Sequence, residues 1–217
     1  MLSKFREPVS GLTHMAAALL SVLGLGCLLY TAVKYGDVWQ IVSFSIFGVS
    51  MILLYSGSAV YHLVNANAQV VKMLRRVDHM LIFVLIAGTY TPFCLGPLRG
   101  PWGFGLLLGV WTFGILGMIF ALLWVDAPRW LTTGIYLAMG WAVVVAGYPL
   151  VKSLSVPALV WLAVGGLFYS VGAVVYATKR PNLFPGVFGF HEIWHLFVMA
   201  GSFSHFWTVL RHIPTLS

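Results

Sequence analysis

His191 and His195 stand four residues apart in His191-Glu192-Ile193-Trp194-His195. On a helix that spacing puts both imidazoles on one face, where two side chains can bind one metal ion. Ser58 and His62 repeat the spacing in a second segment, and Asp78 follows one short loop later. Three imidazoles and a water make a four-coordinate zinc site with an open position, and a nearby carboxylate can take that water's proton. Zinc lowers the pKa of bound water to about 7, so a nucleophile is available at neutral pH. His62, His191 and His195 are candidate ligands and Asp78 a candidate proton acceptor; Ser58 shares the His62 face. The donors favour zinc, and iron, cobalt or copper suit them too.

Long apolar runs must position these groups. Seven read as membrane-spanning helices, roughly Leu12–Val33, Val38–Val64, Val77–Leu95, Trp102–Trp124, Leu131–Leu150, Val156–Ala177 and Val187–Leu210. Each has about 20 residues or more, enough to cross about 30 Å of hydrocarbon. The gaps are short: Lys34 to Asp37, Asn65 to Arg76, Gly96 to Pro101, Asp126 to Arg129, Lys152-Ser153 and Lys179 to Pro185. Consecutive helices therefore lie side by side. The expected fold is all-α: a polytopic seven-transmembrane helix bundle, one domain over residues 1–217, with no linker or clear internal repeat. Gly105 and Gly109 form a GxxxG in the fourth span, read as close helix packing.

Loop cations set the orientation. Lys4, Arg6, Lys72, Arg75, Arg76, Arg129, Lys179 and Arg180 lie on the N-terminal side; Lys34, Arg99, Lys152 and Arg211 lie opposite. This bias puts the N-terminus in the cytoplasm and, after seven spans, the C-terminus outside. Odd spans then begin, and even spans end, on the cytoplasmic side. His14, Ser58, His62, Asp78, His79, His191, Glu192 and His195 all come to that end, from four segments. Ionisable groups are costly in lipid, which makes each a functional candidate.

Composition excludes other classes. The chain has 217 residues, 60% hydrophobic and 8% charged, where a soluble domain carries about 25% charged residues. So few charges cannot cover a water-facing surface, and so apolar a chain is not disordered. Barrel strands alternate apolar and polar over about ten residues, whereas these runs are unbroken. The net charge of +7 lies in gaps between spans, so it reads as topology and not as a nucleic-acid face. Cys27 and Cys94 read as buried thiols. No cleavable signal is evident: Glu7-Pro8 interrupts the early cations, and the first apolar run is too long for a signal core.

Taken singly, these residues have plainer readings. His62 alone is a packed histidine bonded to a carbonyl, and Asp78 alone is an interfacial partner of Arg75 and Arg76. His79 projects about 100° from Asp78 on a helix, which favours a structural role. His14 and His205 also read as structural. The combination at one depth is what points to a metal.

The motifs together resemble the hemolysin III branch of the PAQR family, whose eukaryotic members include the adiponectin and progestin receptors. Glu7-Pro8-Val9-Ser10-Gly11-Leu12-Thr13-His14 resembles the family's E-x2-N-x3-H motif, with Ser10 in place of Asn. Ser58 to His62 matches S-x3-H, Arg76-Val77-Asp78-His79 opens the third span, Ala87-Gly88-Thr89-Tyr90-Thr91-Pro92 is typical of the bacterial branch, and His191 to His195 matches H-x3-H. The resemblance implies a seven-helix bundle with a cytoplasmic N-terminus. It also implies zinc on His62, His191 and His195, with Asp78 near the zinc-bound water and Ser58 as the motif serine.

Four readings of function follow. The first is a zinc-dependent intramembrane hydrolase of a ceramide-like lipid amide, acting in membrane-lipid homeostasis in the inner or plasma membrane. Asp78 is its general base, Ser58 holds the carbonyl or the water, and a membrane lipid is the partner. The second is a non-catalytic sensor whose zinc ties the second and seventh spans together. A membrane-disrupting toxin is the third. The fourth is an intramembrane protease using His191-Glu192-Ile193-Trp194-His195 as H-E-x-x-H, with Glu192 as base; position 201 is Gly, not the further His of a metzincin.

Overall fold

Only Gly36 and Asp37 join the first two helices, and both fit a tight reversal. The Asp37 carboxylate accepts the Gln40 N–H at 2.9 Å, and Gln40 Oε1 accepts the Asp37 N–H at 3.0 Å. This reciprocal pair satisfies donors that a helix start leaves open. A Cβ at Gly36 would meet the Ala32 carbonyl oxygen at 2.8 Å, so no larger residue fits.

The computed structural model describes residues 5–184 and 186–213. Lys4 and Pro185 lie outside the described residues. In chain order the elements are α1 Pro8–Tyr35, α2 Val38–Leu63, α3 Ala68–Leu95, α4 Pro101–Leu123, α5 Arg129–Gly140, a 3-10 turn Trp141–Ala146, α6 Gly147–Ser153, α7 Val156–Thr178 and α8 Phe190–His212. The fold is all-α. Pieces α5 to α6 run on as one stretch, so the described residues form seven long helical passes. Six of them are long and apolar enough to cross a membrane: α1, α2, α4, Arg129–Ser153, α7 and α8. The chain is a multi-pass membrane protein.

The remaining long helix, α3, carries Lys72, Arg75, Arg76 and Asp78 in its first half. Its start corrects the sequence reading, in which Asn65 to Arg76 was a gap. Asn67 Oδ1 accepts the Val70 N–H at 3.0 Å and caps the helix, which starts at Ala68, nine residues before its apolar run begins at Val77. Hydropathy marks where a helix becomes greasy; the cap marks where it starts.

The fifth pass is broken in the middle. Trp141–Ala146 is 3-10, bracketed by Gly140 and Gly147. The loosened backbone groups find a partner on α3: the Tyr90 hydroxyl donates to the Met139 and Gly140 carbonyls at 2.9 and 2.6 Å and accepts the Val143 N–H at 2.9 Å. In lipid such backbone groups must be satisfied internally.

Neighbours in sequence pack side by side, and α1 also packs on α8. One core joins α1, α2, α3, α7 and α8 around Phe44, Phe47, Met51 and Leu85; a second joins α3, α4 and α5 around Phe83, Tyr136 and Met139. Large apolar side chains such as Leu23, Leu123 and Val145 are exposed, as lipid-facing positions are. Gly117 lets Phe83 lie against α4. The GxxxG glycines do not pack as expected. A Cβ at Gly105 or Gly109 would meet no atom within 4 Å, and both line an open apolar groove between α4 and the broken pass. Both thiols are free, with Cys94 buried as expected and Cys27 exposed.

Candidate metal centre

Two helix ends and the first half of a third helix build this site. The end of α2 carries Ser58 and His62, the first turns of α8 carry His191 and His195, and the first half of α3 carries Asp78 and His79. The start of α8 is fixed by its own residues. Glu192 Oε2 accepts the Gly189 N–H at 2.8 Å, and Asn182 Oδ1 accepts the Phe190 N–H at 3.2 Å. The end of α2 is held by the chain entering α1, where the Glu7 N–H donates to the His62 carbonyl at 2.9 Å.

Within this frame His62, His191 and His195 each turn a ring nitrogen inward, and the three atoms lie within 4.8 Å of one another. The Nε2 atoms of His62 and His191 are 3.4 Å apart. Two zinc–nitrogen bonds of 2.0–2.1 Å at a tetrahedral angle place their nitrogens about 3.4 Å apart. The donor set and its spacing therefore fit a metal ion. His62 and His195 are buried and His191 is partly exposed.

The tautomer of His62 is also set. Its Nδ1–H donates to the Glu7 carboxylate, which leaves the Nε2 lone pair facing His191 and His195. A carboxylate behind a ligating histidine is the usual way to fix ring and tautomer. The same hydrogen bond holds the Glu7 carboxyl below the ordinary glutamate range, against the opposing effect of burial. The role of Glu7 depends on a partner 55 residues away, which its own motif does not reveal.

Asp78 is buried at the same end. Its carboxylate lies 3.4 Å from His79 Nδ1, and Ser58 stands beside it. The His79 ring thus turns back toward its neighbour, although the two side chains leave the helix at different angles. Of the two arginines read as partners of Asp78, Arg75 goes elsewhere: it and Lys72 both pair with Asp126, at 2.9 Å each. His14 stacks flat on His195, with centroids 3.6 Å apart. His205 lies deeper, within hydrogen-bond reach of the Leu162 carbonyl oxygen at 3.2 Å.

Glu192 does not face the three imidazoles with a free oxygen. One oxygen caps α8 and the other accepts the Ser10 hydroxyl at 2.7 Å. The geometry gives this residue a capping role.

Ser58, His62, Asp78, His191 and His195 all line a cavity of about 710 Å³. Much of the rest of its wall is apolar, including Ile82, Leu85 and Phe93, with Arg75, Arg129, Ser170 and His205 also lining it, and it extends as far as Leu98. Residues 2–206 match the family model described as Haemolysin-III related. The chain belongs to this family. It is 42% identical over 214 residues to the Hemolysin-3 homolog of Bacillus subtilis (strain 168), covering 97% of each chain. It is 40% identical over 212 residues to Hemolysin-3 of Bacillus cereus, covering 97% of this chain and 94% of the relative. A distant human relative, Monocyte to macrophage differentiation factor, is 26% identical over 185 residues, covering 82% and 73%. In this haemolysin-III related chain, then, a buried three-histidine cluster able to hold a metal ion lies at one end of a membrane bundle.

Proposed function

We propose that this chain is a zinc-dependent intramembrane hydrolase that cleaves the amide of a ceramide-like membrane lipid in membrane-lipid homeostasis. One observation carries the reading: His62, His191 and His195 converge at the polar end of an apolar cavity that also presents Asp78 and Ser58. A zinc ion bound there supplies Lewis acidity, polarising a carbonyl and lowering the pKa of water to about 7.

The protein's own groups do the rest. The three imidazoles hold the ion. Asp78 takes a proton from the attacking water and returns it to the leaving amine, so that the carbonyl gains an oxygen as its bond to nitrogen breaks. The Ser58 hydroxyl donates to the carbonyl oxygen as charge develops on it. The wall of Ile82, Leu85 and Phe93 takes the acyl chain and excludes bulk water. The bundle sits in the inner or plasma membrane with α3 as its seventh span. Its N-terminus is cytoplasmic and its C-terminus outside, as the loop cations direct.

The test is hydrolysis of a fluorescent N-acyl sphingoid base by purified protein in lipid nanodiscs. Wild type turns it over, and Asp78→Ala abolishes turnover while keeping its metal. Equal turnover in Asp78→Ala would remove that residue from the chemistry.

A second reading is a regulator with a structural ion. It is favoured by the origin of the ligands, which come only from α2 and α8, so that a bound ion clamps these two passes. Metal-loaded protein that hydrolyses no lipid amide supports it.

A further inference from the structure

Glu7 at the N-cap of α1, then Ser10 and His14 within the helix, follow one another at i, i+3 and i+7, the spacing of one helical face. Each touches a different part of the metal centre. Glu7 accepts the His62 Nδ1–H. Ser10, fully buried, donates to Glu192 at 2.7 Å, and Glu192 in turn caps the turn that bears His191. The His14 ring lies parallel to that of His195, with centroids 3.6 Å apart and planes 11° from each other. None of the three is among the converging nitrogens.

We propose that this face of α1, together with its N-cap Glu7 as the principal positioning residue, is the outer shell of the metal centre. The inference rests on the metal reading above and extends it to α1, which contributes no ligand. Glu7 fixes the tautomer and azimuth of His62. His14 holds the plane of His195 by stacking and itself makes a T-shaped contact with Tyr55, with centroids 5.1 Å apart. Ser10 ties α1 to the first turn of α8. The three ligand-bearing points are thereby referred to one rigid element, so the ligands are arranged before the ion arrives. Further contacts anchor that element: a Cβ at Gly11 would overlap the Leu63 side chain, and the Arg6 guanidinium lies 4.2 Å over the Tyr61 ring. α1 therefore meets the end of α2 with almost no space between them.

Outer-shell partners of ligating histidines typically control metal affinity by about 10- to 100-fold. The test is zinc affinity by chelator competition on the purified full chain, with the visible spectrum of the cobalt-loaded protein as a second readout. Glu7→Ala is expected to bind zinc about 10- to 100-fold more weakly and to shift the cobalt bands. Glu7→Gln, which keeps an acceptor for Nδ1–H, recovers most of the loss. His14→Phe keeps the stack and binds like wild type, whereas His14→Ala binds more weakly. A purely structural role would move melting temperature without moving the cobalt bands and would give no rescue by Gln. Wild-type affinity and spectrum in Glu7→Ala overturn the inference and leave the metal site standing. A wild-type chain that binds no metal, like His191→Ala/His195→Ala, overturns both.

Discussion

The Nε2 atoms of His62 and His191 lie 3.4 Å apart, although 129 residues separate them in the chain. Two neutral imidazoles can meet this way by sharing one proton, or both can present lone pairs to one ion. With Nδ1–H of His62 committed to Glu7 and a third imidazole converging on the same point, the arrangement answers the needs of a metal. A bond between two rings would not need the third.

Glu192 separates the two hydrolytic readings of the seventh-span motif. Both its oxygens are engaged, by Gly189 and by Ser10. Glu192→Gln is expected to keep metal and turnover and to lose about 1.5–3 kcal/mol of stability, the usual worth of a hydrogen bond to a charged group. Denaturant unfolding and metal analysis check this. Loss of all turnover at unchanged stability, with Asp78→Asn still active, would restore the protease reading.

Tyr90 holds the broken fifth pass. Its hydroxyl serves two carbonyls and one N–H at the 3-10 turn. Tyr90→Phe leaves those groups in an apolar setting and should cost about 1–3 kcal/mol. Amide exchange at Val143 should speed up more than exchange elsewhere in the pass. Unchanged protection at Val143 would mean that the turn holds itself.

Two glycines of one helix should respond oppositely. A Cβ at Gly117 overlaps the Phe83 ring, which is itself buried and cannot withdraw. Gly117→Ala should cost about 1–3 kcal/mol by overpacking. Gly105 has open space around it, so Gly105→Ala should be neutral or gain about 0.5–1 kcal/mol from the stiffer helix. Thermal unfolding of the two variants checks the contrast.

Removing the ion should loosen the bundle. A ligand bound only to the folded state stabilises it by about 2.7 kcal/mol at 100 times its dissociation constant. A chelator should therefore lower the melting temperature of wild type and leave His191→Ala/His195→Ala unmoved. An equal response in both proteins would place the effect elsewhere.

Much of this was legible in the sequence because membrane helices announce themselves. The α2 start at Val38 and the α7 start at Val156 were read from apolar runs, and the i, i+4 pairs placed His191 beside His195, their rings now 4.7 Å apart. The convergence of three imidazoles at one end followed from counting spans. What escaped depends on distant partners. The Ala68 start of α3 is set by a cap and not by hydropathy. The break at Trp141 is stabilised by Tyr90, whose partner Gly140 is 50 residues away. Glu7 gains its role only when α1 meets α2. For Glu192, spacing offered the base of H-E-x-x-H, and its engagement by Gly189 and by Ser10, 182 residues away, is seen only in the fold.

Metal content, measured by mass spectrometry on protein purified without chelator, tests the central claim most directly. The comparison is wild type, His191→Ala/His195→Ala and Asp78→Ala. The account predicts about one zinc per chain in wild type and in Asp78→Ala, with three protein ligands intact in both, and none in the double histidine variant. A wild-type chain without metal, or a double variant that keeps it, would contradict the account.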